Sequence, residues 1–177
     1  MQCKWLYILL IVSRATLKWL WAPWRMAYIS SGGSKECIFC MKGTSSNEKK
    51  DLVLFKGKKC FVMMNLYPYN TGHLMVAPYR HVGNLVELDV DERGELMELI
   101  AKSITILQKV LNPDGFNVGI NLGRVAGAGI EGHVHFHIVP RWSGDTSFMT
   151  VIGEVRTIPE LLSDTYERLV VHFSKDK

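Results

Sequence analysis

Apolar and polar positions change period several times along the chain, and each change marks an element. Residues 52–65, LVLFKGKKCFVMMN, form two apolar runs around Gly57, which predicts a β-hairpin. The turn YPYNTG (67–72) leads into HLMVAP (73–78), a strand stopped by Pro78. Between Leu88 and Gly115 the period lengthens to that of a helix. Leu96, Leu99, Ile100, Ser103, Leu107 and Val110 share one stripe, Asp89 and Glu92 have capping-box spacing, and Asn112-Pro113-Asp114-Gly115 ends the run. FNVGINL (116–122) and HVHFHIV (133–139) read as strands flanking the glycine-rich GRVAGAGIEG. Pro159 is expected to open a last helix with Leu162, Tyr166, Leu169 and Phe173 on one face. Residues 41–50 read as a polar loop. Short connections between strands, with one long helix between pairs, predict an α+β fold. It has an antiparallel sheet of about five strands, one long helix and a C-terminal helix.

The N-terminal pattern is of another kind. KWLYILLIV followed by SRA mimics a short secretory signal, but Arg14 sits inside the would-be cleavage site. Residues 1–16 are therefore expected to be a non-structural extension. LKWLWAPWRMAYI, broken by Pro23, is expected to dock on the core or on a partner chain, and SSGGSKE is a linker. Residues 17–36 thus precede a domain spanning 37–177.

Composition narrows the function classes. The 177 residues are 47% hydrophobic and 21% charged, enough for one domain with a core. No apolar run reaches the length of a membrane span. The net charge of +4 is mild and its lysines and arginines are mostly scattered, which argues against a nucleic-acid partner but allows a small anionic substrate. Four cysteines make no disulfide scaffold in a chain this long. Reduced thiols suit a cytoplasmic location. Cys60 reads as a small buried hydrophobe and the methionines as core filling. Lys56, Lys58 and Lys59 read as a solvated hairpin edge. Cys37 and Cys40 form a C-x-x-C that alone supports either zinc or redox chemistry.

The strongest chemistry lies in GHVHFHIVPRW. His133, His135 and His137 alternate with Val134, Phe136 and Ile138, so on a strand the imidazoles share one face and the apolar residues enter the core. Same-face neighbours are about 6.5–7 Å apart, which puts His133 and His137 about 13 Å apart at the backbone. One metal ion cannot easily take all three from a straight strand, so a division of labour is expected. A neutral imidazole is a nucleophile near pH 7, and a neighbouring imidazole can orient it or donate to an anion. The glycine-rich loop just upstream lets backbone N–H groups approach phosphate oxygens. Together these point to phosphoryl or nucleotidyl transfer.

These residues also carry a resemblance. HVHFHIV matches the H-φ-H-φ-H-φ-φ signature of the histidine triad (HIT) superfamily of nucleotide hydrolases and transferases. LWAPWRMAYI, NTGHLMVAPYRH and AGAGIEGHVHFHIVPRWSGDTSFM look most like its bacterial branch related to diadenosine tetraphosphate phosphorylases and ATP adenylyltransferases. The resemblance covers about residues 20–175. It implies cleavage of a dinucleoside polyphosphate through a covalent nucleotidyl-histidine, by phosphorolysis with inorganic phosphate or by hydrolysis. His135 matches the nucleophile, with its other ring nitrogen donating to a backbone carbonyl. His137 matches the phosphate-contacting histidine and His73 the fourth histidine beside the triad. Asn65 stands where the family places a ribose ligand, and Asn121, Gly129 and Ile130 match the phosphate-side loop. Trp142, in PRW, is a substrate-side candidate, although packing is the default for Trp21, Trp24 and Trp142. Some members bind structural zinc through residues corresponding to Cys37, Cys40, His81 and His133. No organic cofactor is implied, and a homodimer is expected. Two other readings stand beside this one: a nucleotide-binding regulatory or scaffold protein with residual activity, and a metalloenzyme using His135 and His137 as ligands.

Overall fold

In a computed structural model of the chain, residues 37–146 and 157–174 are described. The expected extension 1–16 and the docking segment and linker 17–36 lie outside the described residues. Helices α1 (Ile38–Thr44) and α2 (Glu48–Asp51) precede strands β1 (Val53–Lys56), β2 (Cys60–Met64) and β3 (Leu74–Pro78). The long helix α3 (Val90–Leu111) crosses to β4 (Gly115–Ile120), followed by β5 (Phe136–Arg141) and α4 (Leu162–Phe173). Among the described residues the strands form one antiparallel sheet in the order β1-β2-β3-β5-β4. This is the α+β architecture the sequence predicts. No helix among the described residues is long and apolar enough to cross a membrane.

Alternation along the strands builds two cores. Cys60, Val62, Met64, Leu74, Val76, Val134 and Ile138 face α3 and α4 and pack with Leu96, Leu99, Leu107, Leu169 and Phe173. Phe61, Met63, Met75 and Ala77 face the other way and are covered by Phe39 of α1. Every residue of β2 and β3 is buried because both faces are covered. Each buried large apolar side chain stabilises by roughly 1.5–3 kcal/mol relative to exposure. The capping box forms as expected: Asp89 accepts from Glu92 N–H at 2.7 Å, and Glu92 accepts from Asp89 N–H at 2.8 Å.

Several boundaries differ from expectation. The segment 41–50 is not a loop throughout, because the two short helices overlap it. They are too short to show periodicity and depend on local bonds and packing. Asn47 accepts from Lys50 N–H at 3.1 Å, and Leu52, at φ 59°, ends α2 in the left-handed region. The strand expected at 133–139 starts only at Phe136, since β3 pairs with residues 136–138 alone. Pro140 therefore lies beyond the end of β3, where the missing N–H breaks no ladder bond to it. Pro159 does not open the last helix, whose N-cap is Leu161. The hairpin lysines are not simply solvated. Glu95 accepts from Lys58 and Lys59 N–H at 2.6 and 2.9 Å, and Lys59 Nζ pairs with Asp89 and Asp91 at 3.0 and 3.2 Å.

Candidate functional site

His73, His135 and His137 gather on the sheet face opposite α3. In the ladder His137 stands between Met75 of β3 and Gly119 of β4. Among the described residues a side chain at Gly119 would meet nothing within 4 Å, so they leave that flank of His137 open. His73 enters β3 after Gly72, which has φ +74° and whose added Cβ would fall 2.5 Å from Leu111 Cδ1. Only glycine fits that turn without strain, and the turn sets where His73 points. His73 and His137 ring centroids are 5.1 Å apart, and those of His135 and His137 are 4.9 Å apart.

Hydrogen bonds determine which nitrogen of each ring carries the proton. Tyr69 N–H donates to His73 Nδ1 at 3.1 Å, so that nitrogen is an acceptor and the proton sits on Nε2. His73 Nε2–H then donates to His137 Nδ1 at 3.0 Å, which leaves His137 Nε2–H free to serve as a donor. His135 Nδ1–H donates to His133 O at 2.8 Å, so its Nε2 holds the lone pair. The residue expected as nucleophile thus has the tautomer a nucleophile needs. Burial pushes all three rings below the usual imidazole range. His73 falls to about 3 and His137 to about 4, each helped by neighbouring histidines, and His135 falls even though its bond to His133 O opposes the shift. All three are neutral near pH 7.

His133 belongs to a different cluster. Its Nε2–H donates to Pro78 O at 2.9 Å, which turns Nδ1 toward Cys37 Sγ at 3.3 Å and Cys40 Sγ at 3.6 Å. Cys40 Sγ is 3.4 Å from His81 Nδ1, and the four ligand atoms lie within 4.8 Å of one another. A tetrahedral zinc with Zn–S of about 2.3 Å and Zn–N of about 2.0–2.1 Å implies S···N edges of about 3.5 Å. The donor set and its spacing fit that ion, and the His133–Pro78 bond is the outer support such a ligand uses. The loop carrying His81 packs backbone to backbone against the loop before His133. A Cβ on Gly83 would lie 2.8 Å from Glu131 O, and Val134 N–H donates to Val82 O at 2.7 Å.

The other candidates are placed unevenly. Asn65 Nδ2 lies 3.3 Å from His73 Nδ1, and its Oδ1 accepts from Tyr67 N–H at 3.0 Å. Asn121 Nδ2 donates to Gly127 O at 3.4 Å within the glycine-rich loop. Gly129 is exposed, while Ile130 packs against the Phe39 cluster. Trp142 lines a cavity with Asn70, Leu111, Asp145, Glu160 and Arg168, and none of the histidines lines it. Cys60 is buried, its thiol pushed up to about 12 by burial and the nearby carboxylates. Three residues at the site escaped the sequence reading: Phe39, Tyr69 and Asn70. Phe39 sits inside the C-x-x-C and packs on His135. The Tyr69 ring lies 4.8 Å from that of His73. Asn70 donates to Pro140 O at 3.1 Å, tying the turn to β5. Their signal was position alone, between the cysteines and four and three residues before His73.

A sheet that gathers neutral imidazoles beside a Cys2His2 cluster defines an α+β protein with a histidine-built site. The HIT domain family matches residues 46–144, and the chain belongs to it. The curated AP-4-A phosphorylase of Mycobacterium tuberculosis (strain H37Rv) is 40% identical over 170 residues, covering 92% of this chain and 87% of its own. The bis(5'-nucleosyl)-tetraphosphatase [asymmetrical] of Schizosaccharomyces pombe is 35% identical over 95 residues, covering 54% and 52% of the two chains. The crystal structure of a hypothetical histidine triad nucleotide-binding protein from Sulfolobus tokodaii superposes with TM-score 0.61 at 26% identity, over 78% of this chain and 93% of that one.

Proposed function

We propose that this chain is an enzyme that cleaves a dinucleoside polyphosphate of the diadenosine tetraphosphate kind. The carrying observation is the His135 Nδ1–H bond to His133 O, which leaves Nε2 as the nucleophile. Nε2 attacks an adenylyl phosphorus, an N–P bond forms and the P–O bond to the rest of the polyphosphate breaks. His137 Nε2–H donates to a phosphate oxygen during the attack, held in that tautomer by His73. An acceptor oxygen then takes the nucleotidyl group and the N–P electron pair returns to Nε2. Asn65 is assigned to the ribose, Asn121 with the loop at Gly129 and Ile130 to the phosphate side, and Trp142 to a weaker substrate contact.

Phosphate as acceptor is supported by the 40% identical mycobacterial relative, whose name describes phosphorolysis. Incubation with diadenosine tetraphosphate, with and without phosphate, separates the outcomes on a chromatogram. ADP and ATP formed only with phosphate are expected. AMP and ATP without phosphate would make the protein a hydrolase, and nucleotide binding without any turnover would leave it a binding protein.

Cys37, Cys40, His81 and His133 would hold one zinc ion, which when bound supplies structure rather than Lewis-acid chemistry, because all four tetrahedral positions are filled by protein. The catalytic domain spans 37–177. A cytoplasmic location suits the reduced cysteines and is checked by cell fractionation.

A homodimer is supported by β4, whose outer edge pairs with no strand among the described residues. Val118 and Leu122 beside that edge are 43% and 40% exposed. An uncovered edge of this kind invites a second strand. Light scattering should give about twice the 20.1 kDa chain mass, and a value at 20.1 kDa would rule the dimer out.

A further inference from the structure

Phe39 stands between the two cysteines of Cys37-Ile38-Phe39-Cys40. Its ring is 1% exposed and touches two histidines. The centroid is 5.1 Å from that of His133 at an interplanar angle of 40°, and 4.5 Å from that of His135 at 35°. The helix that carries it is seated closely on the sheet. A Cβ on Gly43 would come within 2.9 Å of Phe61 Cε1 and 3.1 Å of Tyr79 Cδ1. The backbone that places the Phe39 ring is therefore the backbone that places both cysteine ligands.

Besides the edge-on His137 ring, His135 has two supports. Its Nδ1–H hangs on His133 O, and the Phe39 ring packs against its ring at a 35° tilt. Both supports originate in the Cys2His2 cluster: His133 is one of the four ligand residues, and Phe39 is held between two others. A single hydrogen bond leaves an imidazole free to rock about its terminal torsion, which is broad. A rigid aromatic ring packed against it restricts that freedom. Misplacing a reacting atom by about 1 Å can cost on the order of a hundredfold in rate.

We infer that Phe39 is a positioning residue, which acts through the His135 ring and couples the Cys37/Cys40/His81/His133 cluster to the aim of the nucleophilic nitrogen. The inference rests on His135 being the nucleophile. A simple core filler would change stability alone; a positioning residue also changes kcat and the state of the His135 ring.

The test uses the full-length, zinc-loaded chain and the variant Phe39→Leu, which keeps an apolar side chain in the core but removes the flat face. Phe39→Leu should lower kcat by about tenfold with KM within about twofold. Stripping zinc from the wild-type chain should lower kcat to a similar degree. Both perturbations together should give little more than either alone, because they act through one contact. In nitrogen-resolved NMR, the His135 ring should show the Nδ1–H tautomer in the loaded wild type and a mixture in either perturbed form. Rate losses that multiply, an unchanged tautomer in Phe39→Leu, or a chain that binds no metal would each overturn the inference. If no adenine dinucleotide is turned over, the nucleophile reading fails, and the NMR arm still decides whether Phe39 orders the ring.

Discussion

His135→Ala is expected to reduce turnover of diadenosine tetraphosphate by at least about 10⁴-fold while leaving nucleotide affinity within a few-fold of wild type. Removing a nucleophile of a covalent mechanism typically has effects of this order, because the remaining groups bind and polarise but cannot form the intermediate. The variant keeps His73 and His137, so the groups assigned to the phosphate remain in place. The measurement pairs single-turnover kinetics with a binding titration. Quenched wild-type enzyme should also carry a nucleotidyl adduct by intact mass, and the variant should not. A variant that keeps more than about a tenth of the rate would mean that another residue performs the attack.

The second large effect concerns the cluster of Cys37, Cys40, His81 and His133. Metal analysis should find one zinc ion per chain, and exhaustive chelation or Cys40→Ala should lower the melting temperature by about 10 °C. A ligand that binds only the folded state stabilises by about 4 kcal/mol when present at about a thousand times its dissociation constant. For a chain of this size each kcal/mol shifts the midpoint by about 2–4 °C. The ion would join residues far apart in sequence: Cys37 and His133 are separated by 96 positions. A clip across so long a loop removes much freedom from the unfolded chain. An unchanged melting curve after verified metal removal would refute the structural role. Loss of turnover that follows zinc loss at constant fold would instead be the behaviour of the Phe39 coupling.

Much of this arrangement was legible in the sequence, and the reasons are physical. Leu96, Leu99, Ile100, Ser103 and Leu107 are buried on one face of α3 because a long amphipathic helix carries its burial pattern in its period. The alternation of His137 with Phe136 and Ile138 marked the strand and its two faces for the same reason, although the strand begins later than the alternation does. The short helix over Ile38–Thr44 was hidden because seven residues cannot display a period, and packing at Phe39 and Gly43 supplies what local preference does not. Tyr69 was unreadable in another way. Its hydrogen bond to His73 comes from the main-chain N–H, a group every residue but proline has, so no side-chain pattern reports that bond. The meeting of His81 with Cys40 came from resemblance rather than from any spacing rule.

The two sides of the segment from His135 through β5 are also separate records of change. Phe136 and Ile138 answer to the packing of α3 and α4, whereas His135 and His137 stand outside that core and, under the proposed function, would answer to a ligand. Substitutions around the ligand face can alter which nucleotide is accepted without drawing on the interior that keeps the chain folded. Drift in the interior, conversely, need not disturb the chemistry so long as the strand stays in register. A lineage built on such a strand can diversify its substrates while its scaffold stays nearly constant.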